Sequence, residues 1–324
     1  MTRWLDALTV AWDELARTPP IARQYRSRVI SAETPLEIRA GIRAMDDAPC
    51  LMLYTALPPD ALFELGGMRL NSVPDDSGPL LVLSLEDAAR RDLFTTICAD
   101  VVAAASQPDQ NAALTQFLAR LDAWRQFLRD RRDGLSRAET VGLIGELLIL
   151  ERLIEADADC LASWQAPLDG LHDFQRDGHD LEVKTGLGPA STITISRLDQ
   201  LDTSGVRRLD LLHVRLIESP AGRSLRDIIA DLSAALPDEA RRSSFENLLL
   251  RRGLLPGDDV ARNAPRVQIR TIDGYVVADG FPRLVRSGLP IAITDATYTL
   301  EVRGISTFAE DATATLDAFH QGAR

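Results

Sequence analysis

His179 to Gly186 read HDLEVKTG, and this stretch holds the only lysine of the 324-residue chain, Lys184. The other 35 of the 36 basic residues are arginines. Arginine is a broad planar fork that stays charged, whereas lysine is a compact ammonium on a flexible stem. A position that keeps lysine against so strong a bias asks for a point charge, unless it is a surface position where lysine survived by chance.

The residues on either side turn that question into a geometry. Asp177-Gly178, within RDGH, suits a two-residue hairpin turn, because both positions tolerate positive φ. Such a turn pairs residues whose numbers sum to 355, which sets Asp173 opposite Glu182. Directly opposed residues share a face with Cβ atoms about 4.5–5.5 Å apart, and like charges there are unfavourable unless a cation offsets them. Side chains alternate along a strand, so Lys184 joins Glu182 while Leu181 and Val183 point to the core. The preceding segment, VGLIGELLILERLI, is apolar almost all round and reads as a buried helix, with Gly142 and Gly145 allowing close approach. Ser136 and Glu139 form a capping-box pattern at its start. Glu146 interrupts the apolar run; a carboxylate there either reaches water at the helix edge or is paired or metal-bound.

The rest of the chain divides loosely into three. Residues 1–105 read as a small α/β unit: an opening helix, the strands PLEIRAGIRA, CLMLYTAL and PLLVLSLED, and the helix DAARRDLFTTICADVVAAA. SQPDQN, Ser106 to Asn111, is the candidate linker, followed by two helices and then strands over 106–220. Residues 221–324 read as a helix-and-strand extension, with a hairpin expected in VQIRTIDGYVVADGF at Asp273-Gly274.

A hydrophobic content of 45% is enough for one large or two ordinary cores. A net charge of −12 makes the protein as a whole repel nucleic acid, so a nucleic-acid surface must be local or supplied by a partner. Cys50, Cys98 and Cys160 are odd in number and in no metal-like spacing, which fits a reducing compartment. With no run of ~20 apolar residues and no leader-like start, the expectation is a cytoplasmic protein without membrane partners.

The order of a helix with Glu146, a strand with Asp173, a hairpin and then Glu182-x-Lys184 resembles the PD-(D/E)XK nuclease superfamily. GLIGELLILERL, HDF, LEVKTG and ISRLDQL resemble more narrowly the prokaryotic PD-(D/E)XK motif proteins, whose genes tend to lie near phage-defence systems. The motif spans about 65 residues, Ser136 to Gln200, and departs from the pattern in having His172, not proline, before Asp173. The resemblance implies an α/β (α+β) restriction-endonuclease-like core of a mixed sheet flanked by helices, and an Mg²⁺- or Mn²⁺-dependent DNA endonuclease. It implies Asp173, Glu182, Lys184, Glu146 and Gln200 as catalytic residues and Asp173, Glu182, Val183 and Glu146 as metal ligands. The chemistry suits these residue types, since Mg²⁺ needs only one or two carboxylates beside substrate phosphate and water.

Bland readings stand beside these. A lone Gln such as Gln200 is more often a surface helix residue. His172 and His179 could contact phosphate, but turn-adjacent histidines are usually solvated. Thr185 and Gly186 line the site or simply end the strand, and Trp124 and Trp164 read as core. The pairs Arg131-Arg132, Arg207-Arg208, Arg241-Arg242 and Arg251-Arg252 could contact a phosphate backbone but, scattered among acids, read as solvated helix faces. Three functions follow: an endonuclease served by a helicase-like or ATPase partner, a catalytically silent scaffold or DNA-binding subunit of such a system, and an interaction protein whose acidic cluster is an incidental solvated patch.

Overall fold

A computed structural model describes residues 2–19, 24–30, 34–57, 61–107, 109–130, 135–189, 191–256 and 263–322. Arg131-Arg132 and Pro108 of the candidate linker lie outside them. The chain forms two compact units, Met1–Arg132 and Asp133–Arg324. These boundaries differ from those expected near 105 and 220. The helix after the candidate linker falls in the first unit, and a single strand, Arg208–Arg223, spans position 220 with a bulge between Glu218 and Arg223.

In the first unit, β1 (Tyr25–Val29), β2 (Ile38–Arg43), β3 (Pro49–Tyr54), β4 (Phe63–Leu65), β5 (Met68–Asp75) and β6 (Gly78–Leu85) form an antiparallel sheet ordered β1-β2-β3-β6-β5-β4. With it go α1 (Thr2–Arg17), α2 (Arg91–Ala104) and α3 (Gln110–Asp130). The helical spacing of Trp4, Leu8, Ala11, Trp12 and Leu15 buries one stripe of α1, and the Trp12 indole N–H reaches the Cys50 carbonyl at 3.0 Å.

The second unit opens with α4 (Arg137–Ala156), whose start is fixed by the expected capping box: the Glu139 N–H donates to Ser136 Oγ and the Ser136 N–H to Glu139 Oε2. Its mixed sheet is ordered β13-β11-β10-β8-β7, from β7 (Phe174–Arg176), β8 (His179–Leu187), β10 (Arg208–Arg223), β11 (Val267–Val276) and β13 (Ala309–Glu310). β8 and β10 run parallel, and the remaining pairs are antiparallel. β9 (Thr192–Ile195) pairs with β12 (Tyr298–Glu301) as a separate ribbon. Helices α5 (Leu225–Ala235), α6 (Glu239–Arg252) and α7 (Ala312–Gln321) complete the unit. This is the α+β, nuclease-like arrangement that the sequence leads one to expect.

The sheet has an apolar layer on each side. Leu181, Val183, Leu212, Val214 and Leu216 pack with α4 to α7, while Leu209, Leu211 and Tyr275 pack with Ile193, Ile195, Phe281 and Leu300. Period-two alternation thus sends Leu181 and Val183 one way and Glu182 and Lys184 the other, as expected.

One expected hairpin is absent. Asp273-Gly274 lies inside β11, where Asp273 pairs with His213 and Gly274 with Leu212. The glycine serves close packing instead of a turn: a Cβ there would meet the Glu310 carbonyl and Thr315 Oγ1, both at 2.9 Å.

Candidate active site

The Asp177-Gly178 turn forms with φ of 50° and 79°, positive at both positions as a type I′ turn requires. Its ladder pairs Arg176 with His179, Gln175 with Asp180 and Phe174 with Leu181, the expected register. The ladder ends one residue short of Asp173. There the Gln165 and Ala166 N–H groups donate to the Asp173 carbonyl, and its side chain crosses to accept from the Val183 N–H at 2.7 Å. The carboxylate therefore takes the place of a backbone acceptor at the mouth of the strand pair.

Glu182 and Lys184 sit one pleat apart on β8, with Lys184 Nζ donating to Glu182 Oε1 at 2.6 Å. Glu182 is 1% exposed and Glu146 4% exposed, so neither belongs to a solvated patch. Asp173 is half-buried, and its carboxyl is pushed well above the usual range, first by burial and then by the charges of Glu182 and Glu146. The Lys184 charge and the Val183 N–H act the other way. The charges of Glu182 and Glu146 both act on Asp173, so the three carboxylates lie in one region. A cation at Asp173 would reverse that upward shift, and the donors are all hard oxygens, so the residues fit a divalent metal of the Mg²⁺ or Mn²⁺ kind.

Glu146 is placed differently from its fellows. Arg252 holds it with Nη2 on Oε1 at 2.6 Å and Nε on Oε2 at 3.2 Å, and the Trp164 indole N–H adds a bond to Oε2 at 3.1 Å. The oxygens of Glu146, Asp173 and Glu182 do not all come within 4.8 Å of one another. α4 reaches β8 so closely because position 145 is glycine: a Cβ there would lie 1.9 Å from Thr185 Oγ1. Thr185 therefore packs under the helix.

Gln200 lies in the 3₁₀ turn Leu198–Leu201 and is nearly buried, not a surface helix residue. Its Oε1 accepts from the Ser196 N–H, Ser196 Oγ and the Arg197 N–H, so its acceptor end closes its own turn. Val183 contributes its N–H to Asp173, while its side chain belongs to the core.

The histidines are not solvated. His172 and His179 are each 1% exposed; Nδ1 of the first lies 2.7 Å from Asp180 Oδ2 and Nε2 of the second 2.6 Å from Asp210 Oδ2. Each satisfies a buried carboxylate beside the hairpin, which is why a turn-adjacent histidine is retained inside. Arg252 likewise departs from the solvated-face reading, since it is largely buried on Glu146.

Three neighbours of these groups lie outside the sequence motif. Arg252 comes from a helix remote in the chain, and nothing local to it marks an arginine that will meet Glu146. His213 is the β10 neighbour of Lys184 in the parallel register, and Asp273 is the β11 neighbour of His213. His213 is buried with Nδ1 unpartnered, and burial and the Arg215 charge hold its imidazole below the usual range. Strand order alone brings Lys184, His213 and Asp273 into one row across the sheet, and strand order is not written in any one segment.

The chain matches the profile of the family described as "Putative PD-(D/E)XK family member, (DUF4420)" over residues 8–303. No curated protein matches it significantly, and no solved structure does.

Proposed function

The chain belongs to this DUF4420 family of PD-(D/E)XK proteins, and on that premise we propose that its second unit is a metal-dependent DNA endonuclease. The observation that carries this reading is the convergence of Asp173, Glu182 and the chain's single lysine at the end of one hairpin. Asp173 and Glu182 would hold an Mg²⁺ or Mn²⁺ ion, with the Val183 backbone carbonyl as a further oxygen donor. When bound, such an ion supplies Lewis-acid stabilisation of phosphoryl oxygens and a more acidic water.

The chain's own groups do the rest. An ammonium has three donors, and Lys184 uses one on Glu182. The others are available to orient an attacking water and to oppose negative charge building on the phosphate. Arg252 offsets Glu146, which leaves Asp173 and Glu182 as the ligands facing a metal and gives Glu146 a positioning role through α4. Gln200 stiffens the turn after β9.

Residues 133–324 carry 21 basic against 30 acidic side chains, which opposes unaided binding to a polyanion. Delivery of DNA by a helicase-like or ATPase partner of a restriction or phage-defence system is therefore part of the proposal. No helix among the described residues is long and apolar enough to cross a membrane. The buried free thiols of Cys50, Cys98 and Cys160 suit the cytoplasm.

One observation favours a second reading. The Arg252 and Trp164 bonds to Glu146 resemble a structural ion pair, as in a nuclease fold kept as a silent scaffold. Incubation of plasmid and linear DNA with the purified chain in Mg²⁺ and in Mn²⁺, beside Lys184→Ala, separates the two. Metal-dependent cutting lost in the variant is the expected result. No cutting, together with a melting temperature indifferent to either metal, would sink the endonuclease in favour of the scaffold.

A further inference from the structure

A second group of metal-ligating side chains lies apart from the carboxylates above. Asp157 ends α4, Cys160 sits in the 3₁₀ segment Ala158–Ser163, and His320 lies in the last turn of α7. One ligand atom from each falls within 4.8 Å of both others, and this is the one such trio among the described residues. The trio draws on sequence positions 160 residues apart, so it is a product of the tertiary fold.

The donor set is borderline-soft: a thiol, an imidazole and a carboxylate. Zn²⁺ bonds to sulfur at ~2.3 Å and to imidazole nitrogen at ~2.0–2.1 Å; tetrahedral angles then put sulfur and nitrogen about 3.6 Å apart. Cys160 Sγ and His320 Nδ1 lie 3.5 Å apart. The space is already used by a cation. Arg176, at the end of β7, donates from Nη1 to Cys160 Sγ at 2.7 Å and from Nη2 to Asp157 Oδ2 at 3.1 Å. Its side chain is 27% exposed and lies 4.0 Å from the largely exposed carboxylate of Asp177, which gives the guanidinium somewhere to go.

We propose that Asp157, Cys160 and His320 form a site for Zn²⁺ or a cation of similar softness, entered by displacement of the Arg176 guanidinium, which ties α7 to the end of α4. A metal takes the cysteine as thiolate, so occupation of the site releases the thiol proton to solvent. Three protein ligands leave the fourth position to water.

Co²⁺ added to the metal-free full-length chain tests this, because a thiolate ligand gives a charge-transfer band that oxygen ligands cannot. The expected result is a band that saturates at one equivalent and is abolished by Zn²⁺. Cys160→Ser should lose it, His320→Gln should weaken Co²⁺ binding at least tenfold, and Glu182→Gln should leave it intact. Arg176→Ala removes a like charge from the pocket and should tighten binding about tenfold. Absence of the band from both the wild-type chain and Arg176→Ala overturns the site. A band in Arg176→Ala alone also overturns it, since the native guanidinium would then exclude the metal. Equal bands in wild type and Cys160→Ser would assign the thiolate elsewhere and overturn it as well.

Discussion

Lys184 is the residue on which the proposed function turns, and its neighbours suit a lysine better than an arginine. Its ammonium reaches Glu182 from one pleat away, a span that a planar fork with its charge spread over three nitrogens fits poorly. Lys184→Arg should therefore lose DNA cleavage nearly as completely as Lys184→Ala in a plasmid-nicking assay, and an active arginine variant would refute the point-charge account. Asp173 gives a pH signature. Its carboxyl is raised in the folded chain, so between the ordinary carboxylate pKa and the raised value the folded state binds more protons than the unfolded state, and stability falls as pH rises through that window. In EDTA, Asp173→Asn should flatten this decline and raise the melting temperature at neutral pH, whereas in Mg²⁺ the wild type should gain and the variant should not. Arg252→Ala removes one partner of a largely buried pair and leaves Glu146 uncompensated, a loss of about 3–5 kcal/mol in chemical denaturation. Adding Glu146→Gln to that variant should recover part of it.

The elements that build the site are pinned by specific residues. The β7–β8 hairpin owes its register to a turn with positive φ at both positions, and that register fixes which face of β8 carries the charges. α4 owes its start to a capping box and its depth to Gly145, which sits against Thr185. Gly145→Ala should force α4 and β8 apart at the level of Glu146 and cost about 1–3 kcal/mol. Thr185→Ala in the same chain removes the closest clashing atom, and urea denaturation should show partial rescue. Both the hairpin and the cap were legible in the sequence, because each depends on neighbours within a few residues. Asp273-Gly274 shows the limit of such reading: the dipeptide matches a turn signal, but packing against β13 and α7 makes it the middle of a strand.

At the scale of the molecule, the proposed site lies within one of the two units. Residues 133–324 hold every proposed site residue together with the mixed sheet and the helices that cover it. Produced alone, this unit should unfold cooperatively and keep a metal-dependent rise in melting temperature; failure of the fragment to fold would show that the first unit is needed for stability. The boundary at Arg132 and the extension of β10 past position 220 were not readable from composition. Polar segments and Gly-Pro punctuation mark the ends of elements, whereas unit boundaries depend on which elements share a core, and that is a long-range property.

The sequence by itself determined the hairpin register, the alternation that sets Glu182 and Lys184 against Leu181 and Val183, the capped and buried α4, and the motif that relates the chain to its family. These rest on local rules: turn φ, a period of two residues, and the capping geometry of one helical turn. The tertiary structure alone decided that Arg252 and Trp164 hold Glu146, that His213 and Asp273 stand in a row with Lys184, that His172 and His179 are buried on aspartates, and that Cys160 meets His320. Each of these contacts closes only when strand order and helix packing set an address outside its own segment. The chain's local chemistry therefore names the candidate catalytic groups, and the fold selects which cations and hydrogen-bond donors surround them.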